Sequence, residues 1–600
     1  MDRRRFCQMV GGVAAASGVR GWSQDKQMPS IAQGFNRYTQ DYAQFCALPP
    51  GERRYYKVSG KSIVADRLDD ATWKATEWGS PSDLPIAGPS WDGVPLESPL
   101  PDLAGNGPYQ PTWDSLQQYE APEWYQDAKF GIWAHWSPQC VPEDGDWYAR
   151  NMYVPGSAQY KYQLEQYGSV DRFGYKDLCA QWTLLNWDPE ALIGRYKKAG
   201  ARIFFALANH HDSFDTWNSK HQPWNAAAIG PHRDVVGTWA AEARKQGMRF
   251  GVTVHQARNW WWMQPSHGAD PAGARAGVPY DGELLESEGK HQWWQGMNAQ
   301  ELYGVKHPFD ALPDASYVKN FYDRTRDLID QHNPDLLYFD NSLLPLGWGG
   351  MNIAAYYYNN SLATHQGKME AVLNVKQVPE NLTKTVIADV ERGSTDGIVK
   401  YPWQSETCIG DWHYNRALYD KPGEFGGYLS PREAVHWLID TVSKNGVFIL
   451  NIPGKPDGTL DSKEIAVLDG ITAWMGVNGE AIYETRPWKV YGEGPNAVKA
   501  GAFQGKTVQS LGVQDIRFTR NKANTIVYAT LLGWPTSAFT IKALGSAATQ
   551  LPGRVVNVEL LGANSKLHWK QRPDGLSIEP PARYHPDADF AASFKIVLAS

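Results

Sequence analysis

The chain has 600 residues, 42% apolar and 20% charged side chains and a formal charge of −7. It is longer than the ~250–300 residues one hydrophobic core can serve, so two or more domains are expected. The acidic balance gives no footprint for nucleic acid or for an anionic membrane surface.

Residues 1–24 begin with the cluster Arg3, Arg4, Arg5, followed by Phe6 and a short run rich in Gly and Ala. This is the pattern of a twin-arginine export signal, too short to span a bilayer. It predicts an exported bacterial protein, periplasmic or secreted. Residues 25–115 are rich in Gly, Pro, Ser and Asp, with a strand-like piece at 55–64, and read as an irregular extension.

From 116 to 485 apolar runs alternate with helical periodicity. Strands are expected at 130–136, 201–207, 249–254, 336–339 and 447–451, and helices at 189–199, 234–247, 317–331 and 431–444. Such alternation implies a parallel sheet, here a (β/α)8-like barrel in an α/β fold. Functional groups of such a barrel emerge at strand C-termini, where His135, His210, His211, His255 and Asp340 fall. Residues 260–310, with Trp260, Trp261, Trp262, Trp293 and Trp294, interrupt the pattern as a long insertion whose aromatics argue for order. From 486 to 600 short β segments at 508–511, 516–519, 525–531, 555–561 and 594–598 indicate an antiparallel β-sandwich. Of the five cysteines, Cys46, Cys140, Cys179 and Cys408 are scattered without a CxxC pair and read as buried thiols.

The 27 Trp and 30 Tyr combine apolar faces with a polar edge, which suits both large cores and platforms for sugar rings. Cleaving a glycosidic bond takes an acid for the leaving oxygen and a second carboxylate across the anomeric carbon. Asp340 ends an apolar strand; its alternative reading is a helix cap. For the partner, Glu406 and Asp411 stand in the stretch 401–412, and Glu406 has the more apolar neighbours, which favours a protonated acid. Asn209-His210-His211-Asp212 lacks the spacing that places two metal ligands on one helix face. Neighbours on an extended segment point apart, so sugar hydroxyls suit these histidines better than a metal.

Six blocks in order resemble glycoside hydrolase family 29, the α-L-fucosidases. They are Lys-Phe-Gly-Ile-Trp-Ala-His-Trp-Ser at 129–137, His-His-Asp-Ser-Phe at 210–214 with Trp217-Asn218-Ser219, and Gly230 to Gly237. The others are the strand ending in Asp340, Ser443 to Gly446 with 450–453 and 456–458, and Val477 to Trp488. The resemblance implies a retaining exo-acting release of terminal L-fucose from a glycan, with Asp340 as nucleophile and no cofactor. It implies sugar contacts at His135, Trp136, His210 and His211, with His255, Arg392 and Trp403 as further substrate-binding positions. The family's Trp-Glu-Thr-Cys block here reads Trp403-Gln404-Ser405-Glu406-Thr407-Cys408. An amide cannot donate a catalytic proton, so Glu406 is the expected acid/base and Asp411 its alternative. An α-L-galactosidase and a sugar-binding homologue without turnover remain open on the same residues.

Overall fold

The computed structural model describes residues 94–599, apart from 308–310, 377, 421–426, 552, 565 and 582–588, together with an antiparallel hairpin of β1 (Tyr55–Ser59) and β2 (Ser62–Asp66). The export signal at 1–24, Cys46 and the rest of the extension up to residue 93 lie outside the described residues.

Eight parallel strands close a barrel in chain order: β3 (Phe130–Ala134), β4 (Ile203–Asn209), β5 (Arg249–Val254), β6 (Leu336–Ser342), β7 (Val372–Lys376), β8 (Ile387–Glu391), β9 (Trp403–Cys408) and β10 (Gly446–Asn451), which pairs back onto β3. The surrounding helices include α1 (Pro189–Lys198), α2 (Val235–Lys245), α3 (Ala315–His332), α4 (Trp348–Thr364), α5 (Pro431–Ser443) and α6 (Ser462–Asn478). Local chemistry sets their ends. In α1 the Asp188 carboxylate accepts from Ala191 N–H at 3.0 Å, Pro189 opens the first turn and Lys197 and Lys198 close the last. The turn Ile193–Tyr196 buries the face that meets the barrel. In α5, Ser430 and Glu433 form a reciprocal capping box.

Within the barrel domain the helices α4 and α6, and also the strands β7, β8 and β9, were not among the expected elements. Their inward positions carry Asn374, Lys376, Asp389, Glu391, Gln404 and Glu406, which break the apolar signature of a buried strand. The strand expected at 508–511 is instead the last turn of a 3₁₀ helix, Gly505–Ser510, closed by Leu511 N–H on Val508 C=O at 3.1 Å.

Beyond the barrel lie β11 (Arg486–Glu493), β12 (Ile516–Arg520), β13 (Ile526–Leu531), β14 (Phe539–Ile541), β15 (Val555–Leu560), β16 (His568–Arg572), β17 (Gly575–Glu579) and β18 (Ala592–Leu598). They form a five-stranded sheet, β11-β12-β13-β18-β15, and a three-stranded one, β14-β17-β16, all antiparallel. Phe518, Val527, Phe594 and Ile596 of the first share one core with Ile541, Leu576 and Ile578 of the second.

Two devices join sandwich to barrel. Arg517 on β12 donates to Asp440 on α5 at 2.8 Å, and Lys444 donates to the other oxygen of Asp440 at 2.9 Å. Burial alone would raise Asp440, but these two cations outweigh it and hold the carboxyl below its usual range. The connection between β11 and β12 of the sandwich also reaches the end of β8: Phe503 N–H donates to Glu391 C=O at 2.8 Å and Gly505 N–H to Arg392 C=O at 2.7 Å. The free thiols of Cys140, Cys179 and Cys408 are buried. Among the described residues no helix is long and apolar enough to cross a membrane.

Lys129, just before β3, is fully buried and its ammonium has no hydrogen-bond partner among the described residues. Burial, aided by Arg486, pushes it down to about 7. Its folded-state value lies below the unfolded one, so the destabilisation is complete below about pH 7 and fades as the pH rises toward 10.5. Lys129→Met is expected to stabilise the protein at pH 6 by ~1–4 kcal/mol, with a smaller gain at pH 9.5. Equal melting-temperature shifts at both pH values would contradict this.

Candidate active site

Each strand delivers polar side chains to the C-terminal mouth of the barrel. Asp340 projects from β6 with 8% of its surface exposed. Its Oδ2 lies 3.1 Å from His211 Nε2 and 3.2 Å from His255 Nδ1, and its Oδ1 is ion-paired with the ammonium of Lys376 from β7. His211 Nδ1 lies 2.8 Å from the His255 carbonyl oxygen, so both ring nitrogens of His211 face acceptors. Burial by itself would raise Asp340, but Lys376 and His255 overcome it and hold the carboxyl well below the usual range. This carboxylate is therefore ionised at any working pH.

Lys376 carries more than one anion. Glu391 Oε2, at the end of β8, accepts from the same ammonium at 2.8 Å, and Glu406 Oε1 on β9 lies 3.9 Å away. Burial would lower this ammonium, but Asp340, Glu391 and Glu406 raise it. Glu406 sits deeper, with 1% of its surface exposed, at the level of Tyr338, two residues before Asp340 on β6. The Tyr338 hydroxyl lies 3.4 Å from Glu406 Oε1 and 3.4 Å from Asp389 Oδ2. Burial and the adjacent Asp389 push Glu406 well above the ordinary glutamate value. Gln404, the amide that departs from the family pattern, donates to Asp389 at 2.9 Å and lies further inside.

The histidines build a second wall. β4 ends at Asn209, and the chain turns at once, so His210 and His211 lie on the same side with ring centroids 4.4 Å apart. Opposite orientations, expected for an extended pair, are lost in that turn. The Gln139 amide donates to His210 Nδ1 at 2.7 Å and to Asp212 at 2.8 Å, and His210 Nε2 lies 3.8 Å from Asp146 Oδ1. His413 is held by Asp146 at 2.7 Å and Ser137 at 2.8 Å. His135 stands between them with neither ring nitrogen hydrogen-bonded among the described residues. Burial and neighbouring imidazoles push His135 and His210 well below the ordinary value, and burial takes His255 to about 4. These rings are neutral near pH 7, able to donate to and accept from hydroxyls.

Aromatic rings complete the walls. Trp412 lies 5.5 Å from His135 and under the Arg392 guanidinium, Trp262 of the insertion 5.5 Å from His211, and Trp147 6.3 Å from His211. The insertion itself is packed: Trp260 stacks on His307 at 4.1 Å, and buried Asp281 accepts from Tyr153 at 2.6 Å. Arg392 stands at the rim with a left-handed backbone (φ 45°) and its guanidinium 2.7 Å from Cys408 Sγ.

Two expected contacts fall elsewhere. Trp136 points out of the barrel, packed against Trp182, Trp187 and Trp239, with its indole N–H on the Lys455 carbonyl at 3.0 Å. It follows His135 just beyond the end of β3 and faces the opposite way. Trp403 opens β9 at the far end of the barrel and donates to the Lys444 carbonyl at 3.0 Å. Both are core residues. Asp411, the alternative acid, accepts from Asn415 at 3.1 Å in the loop after β9. Lys376, Glu391, Trp412 and His413 were not singled out from sequence. The available signal was positional: Lys376 ends the run Val-Leu-Asn-Val-Lys, and Glu391 stands directly before Arg392.

Two groups of side chains could hold a metal ion by proximity: His135, Asp146, His210 and His413, and His210, His211 and His255. Most of these nitrogens already serve protein partners: His413 on Asp146 and Ser137, His210 Nδ1 on Gln139, His211 on Asp340 and the His255 carbonyl. The two nitrogens of His135 have no protein hydrogen-bond partner among the described residues, and its ring lies 5.2 Å from that of His255, which contacts Asp340.

Cleaving a glycosidic bond takes two carboxyls at hand on either side of the anomeric carbon, and their gathering around Lys376 at the C-terminal mouth of the barrel places the chain among the glycoside hydrolases. The chain belongs to the α-L-fucosidase family, glycoside hydrolase family 29: its profile "Alpha-L-fucosidase" matches residues 102–480 and "Alpha-L-fucosidase C-terminal domain" residues 510–597. It is 26% identical over 485 residues to the tissue α-L-fucosidase of Rattus norvegicus, covering 79% of this chain and 88% of that one. With the Homo sapiens tissue enzyme it is 26% identical over 505 residues, 81% and 91% of the two chains. The crystal structure of Thermotoga maritima α-fucosidase superposes with a TM-score of 0.59 at 25% identity, over 82% of this chain and 100% of that one.

Trp136→Ala is expected to cost about 3–5 kcal/mol of stability and to leave the KM of the folded enzyme for an aryl α-L-fucoside unchanged. A raised KM at unchanged melting temperature would return Trp136 to the sugar.

Proposed function

We propose that this α-L-fucosidase is an exported, exo-acting enzyme that releases terminal L-fucose from fucosylated glycans with retention of configuration. The observation that carries the reading is Asp340: an ionised carboxylate at a barrel strand end, oriented by His211 and His255 and backed by Lys376.

In the first step an Asp340 oxygen bonds to the anomeric carbon while the glycosidic C–O bond breaks and a glutamic acid protonates the leaving oxygen. In the second step the same residue, now a carboxylate, takes a proton from water, whose oxygen displaces Asp340. Glu391 and Glu406 are the two glutamates beside the Lys376 ammonium. Two carboxylates bonded to one ammonium stand no more than about 6 Å apart, close to the separation of retaining enzymes and short of the inverting range. The neutral imidazoles of His135 and His210 suit the hydroxyls of the ring, and Trp262 and Trp412 its apolar faces. Export is supported by Arg3, Arg4 and Arg5 before the small-residue run.

Asp340→Ala is expected to lower kcat on an aryl α-L-fucoside by on the order of 10³-fold or more. NMR of the freshly released sugar should show the α anomer first. Wild-type rates in the variant, or initial β-fucose, would defeat this reading. Dialysis against a chelator is expected to leave turnover unchanged; loss restored by Zn²⁺ would assign the histidine cluster to a metal instead.

A further inference from the structure

The carboxyl that handles the proton must meet two demands that the nucleophile does not. In a pocket that admits only the end of a glycan, the terminal ring fills the depth and the aglycone leaves through the mouth. The proton donor therefore addresses an oxygen on the mouth side of the anomeric carbon. In the second step it must also reach a water that enters by the same route.

Glu406 meets neither demand. It has 1% of its surface exposed, its Oε1 is turned to the Tyr338 hydroxyl and its Oε2 has no polar partner among the described residues. Glu391 ends β8, register-paired with Glu406 but closer to solvent. Its side chain is 17% exposed, compared with 11% for Asp340 and 14% for Lys376. It shares the Lys376 ammonium with Asp340. Beside it Arg392 and Trp412 form the rim, and Phe503 N–H fixes its carbonyl. Spacing does not separate the two glutamates, since both lie beside Lys376; access does.

We propose that Glu391, not Glu406, is the acid/base that acts with Asp340, and that Lys376 is the positioning residue that couples the two. This rests on the retaining mechanism above. The Glu391 proton goes to the leaving oxygen as Asp340 forms the fucosyl ester. Esterification removes the negative charge of Asp340 from the shared ammonium, which leaves Lys376 to stabilise Glu391 as a carboxylate. That carboxylate then takes a proton from water, the water oxygen bonds to the anomeric carbon, and the ester bond breaks to restore Asp340. Glu406 and Asp389, joined through Tyr338, serve as the deeper support of this layer.

The test compares Glu391→Ala, Glu391→Gln and Glu406→Ala on two substrates, a fucosyl disaccharide and 4-nitrophenyl α-L-fucoside, whose phenolate leaves without a proton. Both Glu391 variants should lose at least 10³-fold on the disaccharide and far less in the first turnover of the aryl fucoside, seen as a burst of nitrophenol. Azide should restore steady turnover of Glu391→Ala with α-L-fucosyl azide as product, because it enters from the face that Glu391 occupied. α-L-Fucosyl azide from Glu406→Ala, or disaccharide hydrolysis surviving in both Glu391 variants, would overturn the proposal. Glu391→Gln keeps the shape of the side chain and one oxygen to accept from Lys376 but has no acidic proton; near-wild-type kcat in this variant would likewise overturn it. Asp340→Gly with azide should give β-L-fucosyl azide. Failure of that control alone would reject the nucleophile, whereas its success with no azide response from Glu391→Ala would reject only Glu391.

Discussion

The ammonium of Lys376 is the charge around which the barrel mouth is organised. A buried cation costs several kcal/mol unless anions compensate it, and here Asp340 and Glu391 both bond it while Glu406 stands at 3.9 Å. The reverse holds as well. An aspartate this buried would take up a proton without the cation, and a neutral carboxylic acid is no nucleophile. Burial acts the other way on Glu406, set behind Tyr338, and drives it toward its neutral form.

The histidine wall solves a different problem. Burial keeps His135, His210 and His255 from holding a charge, and loss of charge is what lets these three serve hydroxyls in either direction. The insertion contributes by bringing Trp262 over His210 and His211. Its own interior is polar and satisfied, with Asp281 between the hydroxyls of Tyr153 and Tyr303 and the ammonium of Lys176. Such an anchor gives a long loop the rigidity of a scaffold element, so the tryptophan it presents is held in place before any ligand arrives.

How much of this could be read in advance follows from where apolar periodicity survives. The helices α1, α2, α3 and α5 and the strands β3 to β6 keep clean patterns, and the strand ends at His135, His210, His255 and Asp340 could be placed from them. β7 to β9 have inward faces filled by the catalytic layer itself, so the pattern fails just where the chemistry is densest. Glu391 stayed hidden because it shares its segment with the more conspicuous Arg392, and Lys376 because it closes a five-residue run. Trp136 and Trp403 misled for the opposite reason. Both sit in family-like motifs beside site residues, but each faces away from the residue next to it, and only coordinates say which of the two points inward.

The link from the segment at 501–505 to β8 has a consequence for modularity. The two carbonyls it caps belong to Glu391 and Arg392, so the rim of the pocket is tethered by chain that comes after the barrel has closed. The sandwich is thus a brace, rather than an appendage of independent purpose. Barrels and C-terminal modules of this family are not freely interchangeable on this architecture: a chimera keeps its rim only if the crossover travels with the barrel it was shaped against, beyond Gly505.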